Sequence, residues 1–195
     1  DKDYFPEWQP YWQYTLNEMQ KSKAKWLFLS PTWTITQKTP IRIELHPGDD
    51  PLWQDTLDVL SQANFFDLRT ALFPSIDFNE TDFALTLENE DTNQKLESWF
   101  NQYRSFIINF ADMAKISGSE ILVIGGPEIK FSLADEYLIN GISDPASTAY
   151  SRNRWNGLIG EIRARYKGKV YWAFAYPEDF SVLPEWVVDL DGLYL

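Results

Sequence analysis

Five short apolar runs recur along this chain, and a stretch patterned as a helix separates each from the next. The runs are residues 26–29 (WLFL), 67–73 (DLRTALF), 121–124 (ILVI), 170–175 (VYWAFA) and 191–195 (DGLYL). Runs as continuously apolar as WLFL and ILVI read as buried strands. Strands that alternate with helices imply βαβ units and a parallel sheet. The helical stretches are explicit. Residues 10–24 open with Pro10 and place Trp12, Leu16 and Met19 on one face. Asp50 and Pro51 read as N-cap and first residue of the next helix, whose stripe is Trp53, Leu57 and Leu60 and which reaches about Ala63. The longest helix is expected over 93–117, with Trp99, Tyr103, Phe106, Phe110 and Ala114 at helical spacing and Gly118 as its stop. Another spans 150–166 on Trp155, Leu158, Ile159, Ile162 and Tyr166, and a short one lies near 183–188. Residues 34–50, with Pro40, Pro47 and Gly48, read as a long polar loop, and a second, acidic loop follows residue 73.

The chain has 195 residues, no internal repeat and no interdomain linker, so residues 1–195 are expected to form a single domain. Two architectures compete for it. An open doubly wound sheet needs only five strands, in an order such as 2-1-3-4-5. A (β/α)8 TIM-like barrel needs about 250 residues. The pattern starts with a helix and stops on a strand, as expected of an incomplete barrel running from the first helix to the sixth strand. No Gly-rich phosphate loop of the GxGxxG or GxxxxGK[ST] type follows any strand, which weighs against nucleotide binding.

The formal net charge is −12, so the chain lacks the basic footprint that nucleic acid or an anionic membrane requires. No apolar stretch approaches the roughly 18–20 residues of a membrane span. Asp1-Lys2-Asp3-Tyr4 is not a signal peptide, and the absence of Cys fits an exported bacterial protein. With no Cys and a single His, His46 beside Pro47, neither a zinc site nor a Ser-His-Asp triad is expected, and no cofactor is implied. Asp49 and Asp50 could hold calcium, but capping before Pro51 explains Asp50 better. Asn79-Glu80-Thr81 is a formal glycosylation sequon, given no weight in a bacterial chain.

Ligands of parallel α/β folds meet the C-terminal ends of the strands. Here those ends read SPTW, FPSID, GGPE and AYPED, each with a proline that stops the strand and stiffens the loop. Three of the four then carry an acid: Asp77, Glu128, and Glu178 with Asp179. Trp33 and Tyr176 add aromatic faces, and Arg69 is expected near the same mouth. Hydrolysis of a glycosidic bond needs two carboxyl groups flanking the scissile bond, one of them a general acid. A carboxyl on a rigid turn beside aromatics meets the geometric requirement and has its pKa raised. The alternative for Glu128 is an acid offsetting the dipole of a following helical turn. For Asp77 and Glu178 the alternative is solvation or capping. Aromatic residues make up 16% of the chain, with nine Trp; they serve either a core or a sugar-binding groove.

Three stretches carry a resemblance: WLFLSPTWTI, WFNQYRSFIINFADMAKISGSEILVIGGPE, and RWNGLIGEIRARYKGKVYWAFAYPE with LDGLYL. In order, they resemble successive βα units of TIM-barrel glycoside hydrolases of clan A, closest to the β-mannanase-like family 113, over residues 10–195. The resemblance implies a retaining hydrolase of a β-linked polysaccharide such as mannan, with an oligo- or polysaccharide as partner and an extracellular or cell-surface location. It puts Glu128 on the acid/base position. Trp33, Trp172, Tyr176 and Tyr194 become sugar platforms. The family's nucleophile is a Glu on the seventh strand, beyond Leu195. The chain departs from clan A at one position: Pro127 stands where an Asn usually precedes the acid/base Glu. Uncharacterised exported barrel proteins carry the same GGPE, which keeps a non-catalytic carbohydrate-binding or structural role as the alternative.

Overall fold

The structure is a computed structural model that describes residues 8–78, 92–133, 145–175 and 184–195. The sequon at Asn79 and the loop residues Tyr176, Glu178 and Asp179 lie outside the described residues. Helices α1 (Trp8–Lys21), α2 (Trp53–Phe65), α3 (Thr92–Ser117) and α4 (Pro145–Arg165) alternate with the strands as the periodicity predicts. The five apolar runs become β1 (Trp26–Leu29), β4 (Arg69–Leu72), β6 (Ile121–Val123), β7 (Lys169–Ala173) and β8 (Gly192–Tyr194). They form one sheet in the order β1-β4-β6-β7-β8, and every neighbouring pair is parallel.

Each strand of this sheet lies beside the next in the chain, so the doubly wound order 2-1-3-4-5 is absent. Right-handed crossovers in one direction put all the helices on one face. Leu72, Leu122, Val170 and Trp172 face that layer and join the main core with Trp99, Tyr103, Phe106 and Trp155. The other face carries Ala71, Ile121, Val123 and Ala173, with Trp26, Phe73, Tyr171 and Tyr194 packed against them. The sheet is strongly curled about that second face. Four interstrand spacings would separate β1 from β8 by about 19 Å in a flat sheet. Instead the rings of Phe28 on β1 and Tyr194 on β8 are 5.1 Å apart. Edge strands whose inward side chains touch describe the wall of an α/β barrel, with the small Ala71, Ala173 and Gly192 leaving room for the aromatic rings between them.

Two stretches expected as loops are strands. Residues Thr32–Lys38 (β2) and Ile41–Glu44 (β3) form an antiparallel hairpin, and Ser75–Asp77 (β5) pairs with β2 in parallel. The alternation that drives this is plain in retrospect: Ile35, Ile41, Ile43 and Ile76 are buried, while Thr36, Arg42, Glu44 and Asp77 are exposed. The apolar side of this small sheet lies on α3, where Gln102 Oε1 accepts the Ile43 N–H at 3.4 Å. Because β2 and β5 continue the chain beyond β1 and β4, the small sheet rises from the C-terminal ends of the barrel strands.

Asp50 is not the cap of α2. The helix starts at Trp53, and Asp55 Oδ2 accepts the Leu52 N–H at 3.0 Å. Asp50 is 2% exposed and accepts three hydrogen bonds, from Thr32 Oγ1 (2.7 Å), Thr34 Oγ1 (3.0 Å) and the His46 N–H (2.7 Å). It ties the base of the hairpin to the turn before α2. Those three donors account for its burial without a cation.

Candidate active site

The chain leaves β6 through Ile124, Gly125 and Gly126 and enters a 3-10 turn at Pro127–Leu133. Gly125 has φ +150°, and a Cβ there would lie 2.5 Å from Trp172 Cζ3 and 2.6 Å from Ile129 Cδ1. Only glycine fits between that ring and that side chain. Its carbonyl accepts the Ala173 N–H at 2.9 Å, and the Gly126 carbonyl accepts the Ile129 N–H at 3.1 Å to start the turn. Pro127, the first residue of the turn, has no N–H to satisfy and sets φ for it.

Glu128 follows, and its side chain folds back over the strand end. The point where a Gly126 Cβ would sit is 3.0 Å from Glu128 Oε2, 3.0 Å from Ala173 Cβ and 3.6 Å from Phe73 Cζ. The carboxylate therefore stands at the C-terminal mouth of the barrel wall, above the inward face. The residue as a whole keeps exposed surface, but protein atoms crowd its carboxyl end. Loss of water around the carboxylate pushes its pKa above the ordinary glutamate value, and a hydrogen bond from its own N–H only partly offsets this. The dipole alternative has weak support: the turn has seven residues and breaks its helical geometry at Ile129 (φ −115°, ψ 21°).

An aromatic floor extends from the carboxylate. Phe73, the residue after β4, meets Tyr194 edge-on at 5.6 Å, and Tyr194 lies 5.1 Å from Phe28, which is itself exposed. Partly exposed aromatic rings beside a carboxyl group are what a pyranose ring stacks on. Phe28 and Phe73 were not among the expected site residues. Their alternation with Leu29 and Leu72, which face the helices, was the available signal.

The other expected residues divide. Tyr194 is half-buried at the mouth. Trp172 touches the Gly125 turn but is 2% exposed and faces the helix layer, so it is the support of the site and not a sugar platform. Its ring is fixed edge-on against Trp155 (5.1 Å) and Trp186 (5.2 Å). Trp33 stands on β2, half-buried, with its ring edge-on to Phe106 (5.6 Å) and Phe110 (6.1 Å) of α3. Asp77 is exposed at the end of β5, in register with Thr34. Arg69 is at the wrong end. It is the first residue of β4, so it lies at the N-terminal side of the sheet, bound to Glu120 through Nε at 2.7 Å and stacked over Trp26 at 4.0 Å. Among the described residues no cluster of His, Asp and Glu could hold a metal ion, and no helix is long and apolar enough to cross a membrane.

Three solved structures align over 93% of the chain. A β-1,4-mannanase of family 113 in complex aligns with a TM-score of 0.69 at 16% identity, and a second structure of such an enzyme with 0.68 at 17%. The β-mannanase AaManA from Alicyclobacillus acidocaldarius in complex with ManMIm aligns with 0.69 at 16%. The chain spans about half the length of these structures, 53–54%. At such identities the likeness shows the fold, an α/β barrel of which this sheet is the curled wall. No curated protein matches the chain. Residues 7–189 match the sequence family described as Glycoside Hydrolase Family 113. The chain belongs to glycoside hydrolase family 113.

Proposed function

We propose that the protein is a retaining glycoside hydrolase of a β-linked, mannan-like polysaccharide, with Glu128 as its acid/base. The observation that carries this reading is the Glu128 carboxyl, held by the Gly-Gly-Pro turn over the barrel mouth and shifted toward its protonated form. Protonated Glu128 donates its proton to the glycosidic oxygen as a second carboxylate attacks the anomeric carbon. After the leaving sugar departs, Glu128 as carboxylate takes a proton from water, which attacks the glycosyl-enzyme and releases the second product. In this reading the nucleophile lies on a strand beyond Leu195, as in the family pattern. Phe73, Tyr194 and Phe28 supply the stacking surface. A polysaccharide substrate too large to enter a cell would place the protein outside it or on its surface.

The test is Glu128→Gln in the full-length protein, with release of reducing ends from β-1,4-mannan as the assay. Loss of at least about 100-fold in turnover is expected for removal of a positioned general acid. Unchanged turnover removes the proposed role. A second reading, a non-catalytic glycan-binding barrel, is favoured by one residue: Pro127 cannot offer the side-chain amide that clan A holds against the sugar 2-hydroxyl. Mannan-oligosaccharide binding by the unaltered protein with no cleavage products would establish it.

A further inference from the structure

The carbonyl of Ile124 is out of its ladder. Val123 is in register with Tyr171, so Ile124 stands opposite Trp172. The Ile124 N–H donates to the Tyr171 carbonyl at 2.8 Å, as the parallel pattern requires. The same pattern would have the Ile124 carbonyl accept from the Ala173 N–H. Ala173 donates instead to Gly125, one residue further on, at 2.9 Å. The displaced carbonyl is buried and is captured from the helix layer by Tyr103 Oη at 2.7 Å. A buried carbonyl needs such a donor.

We propose that Tyr103 is a positioning residue for Glu128: its hydroxyl holds the Ile124 carbonyl out of the sheet and so fixes the Gly125-Gly126-Pro127 turn that swings the carboxylate over the mouth. This inference rests on the proposed role of Glu128 as acid/base. The hydroxyl is well suited to the task. Its ring is stacked on Trp99 (4.5 Å, 16°) and bounded by Phe106 (5.5 Å) and Trp155 (5.6 Å), so the donor has one position. Burial first, and then the charge of Glu128, drive its pKa well above that of a free tyrosine, so it stays a donor across the working pH range.

A second tyrosine supplies an internal control. Tyr166 Oη donates to the Ser119 carbonyl, also at 2.7 Å and buried, at the opposite end of β6. Tyr103→Phe and Tyr166→Phe each keep a ring and lose one hydroxyl-to-carbonyl bond. In the full-length protein, the Glu128 carboxyl is titrated by carbon-detected NMR, assigned by its absence in Glu128→Gln, and turnover is measured on mannan. Both variants are expected to lower the denaturation midpoint by similar amounts. Only Tyr103→Phe should move the Glu128 titration down toward the ordinary carboxylate range. It should also lower kcat about 10- to 100-fold while KM stays within about twofold, because slight misplacement of a catalytic group acts on the chemical step. An unmoved Glu128 titration in Tyr103→Phe overturns the inference, as does an equal movement in Tyr166→Phe. A moved titration alongside a fully active Glu128→Gln would uphold the positioning and remove the catalytic reading instead.

Discussion

Alanine at Gly125 would set a methyl group where the structure has none to give. The new Cβ would lie 2.5 Å and 2.8 Å from two ring atoms of Trp172 and 2.6 Å from Ile129 Cδ1, about 1 Å inside ordinary carbon contact. Trp172 cannot yield, being 2% exposed and wedged between Trp155 and Trp186. Overpacking of this kind costs about 1–3 kcal/mol. The backbone adds to it, since φ +150° suits only glycine and strains any other residue by about 1–3 kcal/mol. The expected loss is therefore about 2–6 kcal/mol, measured as a fall in urea midpoint at unchanged m value. Gly118→Ala separates the two contributions. Gly118 has φ +70° but nothing within 4 Å of its Cβ position, so only the backbone cost of about 1–2 kcal/mol should appear. A Gly125→Ala variant no less stable than Gly118→Ala would refute the account of the turn as packed onto Trp172.

Two further substitutions probe charge and hydrogen bonding. Glu128→Gln should stabilise the fold at neutral pH while abolishing turnover. The folded-state pKa of Glu128 is raised, so the folded protein is unaffected below the unfolded carboxylate pKa and loses stability as pH rises through the folded value. The variant's advantage in thermal midpoint should therefore be absent near pH 3 and present near pH 7, both chosen roughly from the ordinary glutamate pKa. Asp50→Ala should lower stability by about 3 kcal/mol, because it strands the His46 N–H and leaves the Thr32 and Thr34 hydroxyls without their acceptor. Chemical denaturation would show this, with Asp50→Asn restoring part of the loss.

The barrel wall was legible because its central strands are largely buried and its runs are mostly apolar. Residues 26–29 were expected as a strand and β1 is Trp26–Leu29; α3 was expected over 93–117 and is Thr92–Ser117. The small sheet was not legible in the same way. Its hairpin buries only one face on α3, so Ile35, Ile41 and Ile43 are diluted by Thr, Gln, Lys and Arg, and Pro40 at the turn made the whole stretch look like a loop. The position of Glu128 at the mouth was legible because a proline-stiffened acid at a strand end stands out locally. Arg69 was misplaced because an apolar run does not say which of its residues comes first in the strand. Closeness to the strand end suggests Trp172 as a platform, but strand parity puts it on the same face as Val170, toward the helices. The two threonine partners of Asp50 and the tyrosine partner of the Ile124 carbonyl are 16 to 21 residues away in the chain, and no local pattern announces them.

The indole cluster beneath the turn also has an optical side. Trp155 and Trp186 lie face to face at 5.1 Å and 18°, and Trp172 meets both edge-on. Rings this close share their excited states, and their mutual angles set the sign and strength of the near-ultraviolet circular dichroism. Since Trp172 touches Gly125, the band that these indoles produce is a built-in, label-free gauge of the backbone that carries Glu128.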